Sequence, residues 1–120
     1  MSLKYTLRRV GDVTIIDLAG RIVLGEGSGQ IRTIMKDILA AGNNKIIVNL
    51  AEIAYVDSSG LGELISAYAS VTTSGGQIKL ENVQAKMADL LQITKLNTVF
   101  ETFTDEAKAV RSFTASAAGA

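Results

Sequence analysis

The chain has 120 residues, 48% apolar and 20% charged, enough for one globular domain with one core. Lys and Arg total 12 and Asp and Glu total 12, so no net field draws it to nucleic acid or an anionic membrane. With no His and no Cys, the Ser-His-Asp triad, thiol chemistry, disulfides and nearly every zinc site are excluded.

Lys4–Arg9 alternates, with Tyr5 and Leu7 on one side and Thr6 and Arg8 on the other. Gly11-Asp12 is a turn, and Val13–Leu18 is a second strand. The two make an antiparallel hairpin. Gly20 ends it, and Arg21–Leu24 is an extended link. The run Gly25-Glu26-Gly27-Ser28-Gly29 fits neither the dinucleotide fingerprint nor a P-loop. It reads as a flexible entry to a helix rather than a phosphate cradle. Ile31, Ile34, Met35, Ile38 and Leu39 then mark an amphipathic helix, stopped by Gly42 as a left-handed cap.

Lys45–Leu50 is apolar on both faces, as a central strand requires, with Asn49 its one polar intruder. Ala51–Val56 leads over the sheet edge. A helix over Ser59–Ser74 carries Leu61, Leu64, Ile65 and Tyr68 as its inward stripe. Gly75-Gly76 stops it. Gln77–Glu81 is a fourth strand, Gln84–Ile93 a third helix and Val99–Phe103 a fifth strand. Thr104 can cap a last helix whose Ala107, Val110 and Phe113 face the core. Residues 1–113 form one domain, and Thr114–Ala120 reads as a flexible tail. The order β-β-α-β-α-β-α-β-α is an α/β chain whose last three strands run parallel through right-handed crossovers.

Chemistry concentrates at Asp57-Ser58-Ser59-Gly60-Leu61-Gly62, where the buried run Ile46–Val48 and its extension give way to the second helix. Asp57, Ser58 or Ser59 can each cap the helix start. The bland reading is a cap alone. The sharper one is a phosphoacceptor, because a kinase needs a hydroxyl on an exposed turn. Ser58, just before the helix, is the better exposed candidate, with Ser59 as second choice and as the expected cap. Asp57 orients the hydroxyl or merely forms the turn.

With its context, this stretch resembles the signature of the anti-sigma factor antagonists of the bacterial STAS-domain family, over roughly residues 4–112. The resemblance implies a small mixed sheet of about five strands with about four helices mainly on one face. It implies a regulatory module and not an enzyme. The unphosphorylated form binds a serine-kinase anti-sigma factor and frees the sigma factor. Phosphate on Ser58 switches binding off, and a serine phosphatase reverses it. ATP and magnesium belong to the kinase, so the chain itself needs no cofactor or metal and has no catalytic residue.

The helix's outward set, Gly62, Glu63, Ser66, Ala67, Ser70 and Thr73, is small and nearly uncharged, which suits close approach of a partner. Together with Asp57, Ser59 and Gly60 these positions, Thr73 apart, form the expected partner surface, with Glu63 available to a partner's cation. Other carboxylates, Asp12, Asp17, Glu26, Asp37, Glu52, Glu81 and Asp89, look scattered, with no acid/base pair on one face. No apolar run reaches the ~18 residues of a membrane span. The start MSLKYTLRR lacks a signal-peptide core, so a cytoplasmic protein is expected. The alternatives are a STAS scaffold or ligand-binding domain in another signalling complex, and a small hydrolase without His.

Overall fold

Alternation in the first residues produces the hairpin. In the computed structural model, which describes residues 3–23 and 28–119 except the side chains of residues 28 and 114–119, β1 (Lys4–Val10) pairs antiparallel with β2 (Val13–Ile22). β3 (Lys45–Val56), β4 (Gln77–Glu81) and β5 (Thr102–Phe103) follow in parallel, so the sheet order is β1-β2-β3-β4-β5. The helices are α1 (Ser28–Ala40), α2 (Ser58–Thr73), α3 (Ala85–Ile93) and α4 (Glu106–Gly119). The Gly25-Glu26-Gly27 part of the glycine-rich run lies outside the described residues.

Period-two alternation splits the sheet into two apolar faces. Ile16, Leu18, Ile46, Val48, Ile78 and Leu80 face α1, α2 and α3. Val13, Ile15 and Ile47 face the other way and pack on Ala109 and Phe113 of α4. Three helices therefore cover one face and one covers the other, the mixed α/β arrangement expected. Burial of each large aliphatic chain contributes roughly 1.5–3 kcal/mol, which makes the three-helix face the main store of stability.

Several local readings shift. β2 continues past Gly20 to Ile22, and β3 continues to Val56, because the two strands stay paired to Ile22↔Val56. The fifth strand shrinks to two residues; Leu96–Thr98 forms a 3₁₀ turn and sends Phe100 into the core instead. Asp105, not Thr104, caps α4: its Oδ1 accepts from the N–H groups of Ala107 at 2.9 Å and Lys108 at 3.3 Å. Consequently Ala109, rather than Ala107, faces the core beside Phe113. The α4 backbone stays helical through Gly119, where the sequence suggests a loose tail.

The carboxylates are less scattered than they look. Adjacent strands bring Asp17, Asn49 and Glu81 into register. Arg8 forks onto Asp17 (2.5 and 3.0 Å) and onto Glu106 (2.7 and 3.1 Å). Asn49 donates to Asp17 at 2.8 Å and accepts from Asn82 at 3.0 Å. Glu81 is buried, and its Oε1 has no hydrogen-bond partner among the described residues. Burial, and then Glu106 beside it, push the Glu81 carboxyl up to about 7. Arg8 holds Asp17 and Glu106 below their ordinary values.

The pH dependence follows. Between pH ~4.5 and ~7 the folded chain keeps a proton on Glu81 that the unfolded chain has released, so stability falls as pH rises through that window. Asp17 and Glu106 act oppositely, and their contribution is lost as the pH falls below their ordinary values near 4. Urea unfolding at pH 5 and pH 8 should show the wild-type chain weaker at pH 8. Glu81→Gln should flatten that difference. An unchanged difference in the variant would reject Glu81 as its source.

Candidate functional site

The Asp57–Gly62 turn sits where the β2–β3 ribbon ends. Asp57 N–H donates to Ile22 O at 3.2 Å, which ties the start of α2 to the last residue of β2. Asp57 itself is the N-cap, in extended conformation, with Oδ1 accepting from Gly60 N–H at 2.8 Å. The sequence reading gave this role to Ser59. Ser59 is half-buried inside the first turn, and Ser58 is exposed as the first helical residue. The Asp57 carboxylate, two positions earlier and one atom longer than a serine hydroxyl, reaches the free Gly60 N–H from outside the helix, and this leaves the Ser58 hydroxyl exposed. Removing the cap with Asp57→Ala should cost ~0.5–2 kcal/mol in chemical denaturation, with Asp57→Asn close to wild type.

Gly60 is buried, not a surface contact. A Cβ built there would lie 2.2 Å from Ile22 O and 2.7 Å from Ile22 Cγ2. Only a residue without a side chain lets the helix start press this closely on the strand end. Gly62, by contrast, is exposed with open space around it.

The rest of α2 is rotated from the expected stripe. Gly60, Leu61, Glu63, Leu64, Ala67 and Val71 are buried, while Ile65 is 40% exposed. The cause is α1, which lies alongside α2 and covers a second flank. Arg32 of α1 pairs with Glu63 Oε1, so the buried glutamate is engaged within the chain rather than held out for a partner, while its Oε2 is buried with no hydrogen-bond partner among the described residues. Ala67 is small enough to let α1 approach. Tyr68 is half-buried, edge-on to Phe100 at 5.5 Å between ring centres.

Of the expected partner surface, Gly62, Ser66 and Ser70 are exposed, as is the expected phosphoacceptor Ser58, and Asp57 and Ser59 are half-buried. Gly60, Glu63 and Ala67 are inside. Ile65 and Ala69 join the exposed side, and the sequence reading missed both. Val71 was the available signal: adding it to Leu64 and Ala67 turns the buried stripe away from Ile65. The result is an uncharged outward strip of small residues with one large apolar side chain, Ile65, running down from Ser58. A helix N-terminus there favours negative charge by ~0.3–1 kcal/mol.

The comparisons agree with this architecture. The anti-sigma-B factor antagonist of Bacillus subtilis is 32% identical over 63 residues, 52% of this chain; the match spans 58% of that protein, little more than half its length. The crystal structure of an anti-sigma factor antagonist from Mycobacterium paratuberculosis superposes with a TM-score of 0.79 at 14% identity, over 92% of this chain and 93% of that one. The anti-sigma factor antagonist SpoIIAA in its unphosphorylated form gives 0.69 at 22% identity over 92% and 97% of the two chains. The Bacillus cell fate determinant SpoIIAA in the phosphorylated form gives 0.70 at 23% over 91% and 99%. At such identities the superpositions speak for the fold. The STAS domain model matches residues 4–109, most of the chain, and the chain belongs to the STAS domain family.

Proposed function

We propose that this chain is an anti-sigma factor antagonist, acting in the cytoplasm and controlled by phosphate on Ser58. Unphosphorylated, it binds a serine-kinase anti-sigma factor through the Ser58 turn and the outward strip of α2, and so frees the sigma factor. The kinase transfers the γ-phosphoryl group of its own ATP, with its own magnesium, to the Ser58 hydroxyl. The antagonist then dissociates, and a serine phosphatase restores it. The chain supplies no catalytic group, cofactor or metal ligand to either step.

The observation that carries this reading is the exposed Ser58 hydroxyl at the first helical position, beside an aspartate occupied in capping Gly60. The Bacillus subtilis relative, an anti-sigma-B factor antagonist by name, supports it. So does the existence of the same fold in a phosphorylated form. The outward strip adds a surface that a partner can approach closely without stripping water from charges.

Incubation with the serine-kinase anti-sigma factor and magnesium ATP, followed by mass spectrometry of proteolytic fragments, tests it. One phosphate should appear, on Ser58. Phosphate on Ser59 would move the switch by one residue. No phosphate on either serine would reject the reading.

A further inference from the structure

β3 outruns the strand beside it. β2 follows it as far as Val56, but β4 pairs only with Lys45–Asn49. From Leu50 onward, the β4-side edge of β3 has no strand against it among the described residues. Side chains stand in for that strand at one position. Ala51 N–H donates to Asn49 Oδ1 at 3.2 Å, and Ala51 O accepts from Gln84 Nε2. Beyond this point a groove of about 480 Å³ opens between the edge and α3, lined by Leu50, Ile53, Val56, Met87 and Leu90. Lys86 is the one charged residue on its wall. Tyr55 stands beside it, 54% exposed.

Strand edges are usually guarded by Lys, Pro or a covering element. Residues 51–56 read AEIAYV, with neither Lys nor Pro; their one charge is the exposed Glu52, and two register shifts against β2 fall in this stretch. Main-chain groups on a strand edge that β4 leaves without a partner strand, next to an apolar groove, are matched by another strand, whose backbone gives affinity and whose side chains give specificity. We infer that this notch is a docking site for an extended segment of a partner protein. The segment is roughly five residues long, apolar at alternate positions, and carries an acidic residue beside Lys86. Running parallel to β3, as β2 and β4 do, it places its first residue near the Gln84–Lys86 end and its last near Asp57. A second copy of the chain is the poorer occupant. Its exposed edge strand β1 carries Lys4 and Arg9 and no carboxylate to meet Lys86, and its Arg8 is already paired with Asp17 and Glu106. The segment ends beside the Ser58 turn, but its contacts are with residues 50–56 and 84–90, and it does not require phosphorylation.

The probe is the capped hexapeptide EVTVTV, titrated into the isotopically labelled full chain and followed by amide NMR, with KVTVTV as its counterpart. Shifts should concentrate at residues 51–56 and 84–90, saturating near 1 mM, with KVTVTV several-fold weaker. Lys86→Glu, at an exposed position, should reverse the preference between the two peptides. Ser58→Ala should bind both as wild type does, which separates this site from the phosphorylation reading. Absence of shifts up to ~10 mM peptide, equal binding of the two peptides, or shifts spread over the whole sheet would overturn the inference. So would the same amides moving with protein concentration alone, since that would assign the edge to a second copy.

Discussion

Replacing Ser58 by Asp should leave the domain folded and weaken the proposed complex with a serine-kinase anti-sigma factor by some hundreds-fold, while Ser58→Ala should bind constitutively. Ser58 lies at the first position of α2, outside the core, and its side chain is exposed. A negative group there meets the positive end of the helix, worth ~0.3–1 kcal/mol in its favour. The free protein therefore tolerates it. Covered by a partner, the same charge loses water and faces the Asp57 carboxylate one residue away. A phosphate carries about −1.5 to −2 charges at neutral pH, and burial of such a charge without a cation costs several kcal/mol. A net loss of ~3–4 kcal/mol corresponds to the hundreds-fold weakening, at ~1.4 kcal/mol per decade. Asp supplies about half the charge of a phosphate, so phosphorylated protein should bind more weakly still. Circular dichroism melts and titration calorimetry read the two halves separately. A melted Ser58→Asp domain would put the switch in the fold rather than the interface. Unchanged affinity would remove Ser58 from the interface.

Gly60→Ala should be the most destabilising single methyl that can be added near the site. The new Cβ would sit 2.2 Å from the Ile22 carbonyl oxygen. That oxygen cannot swing away freely, because it accepts the Asp57 N–H. Relief requires lifting the start of α2 off the strand end. This breaks the Asp57–Ile22 hydrogen bond and loosens the buried Leu61 and Leu64 beneath. Overpacking plus these losses comes to about 3–5 kcal/mol, or roughly 10–20 °C in Tm. Gly62→Ala is the control. Nothing lies within 4 Å of its Cβ position, so helix propensity should make it neutral or stabilising by up to ~1 kcal/mol. Thermal melts of the two variants should diverge sharply. Equal melting temperatures would mean that the helix start is not braced against Ile22.

The same two glycines show what a sequence can tell. Gly60-Leu61-Gly62 marks the motif, but both look alike on paper; only the position of Ile22 makes one obligatory and leaves the other open. Glycine also ends α1 legibly. Gly42, at φ +89°, donates to Leu39 O, and Asn43 reaches back to Ile38 O, a Schellman closure.

The sequence by itself determined the order of strands and helices, the split of β2 and β3 into two apolar faces, and an accessible serine at a strand-to-helix turn. Those are properties of neighbours along the chain: period two or 3.6, a cap, a glycine. Tertiary structure alone decided the rotation of α2, the capture of Glu63 by Arg32, the meeting of Asp17, Glu81 and Glu106 around Arg8, and the unpaired stretch of β3. Hydrophobic periodicity fixes how often a helix turns an apolar side inward, but not which flank a second helix will cover. Strand register, likewise, is set by packing between segments distant in sequence, and no local pattern records it.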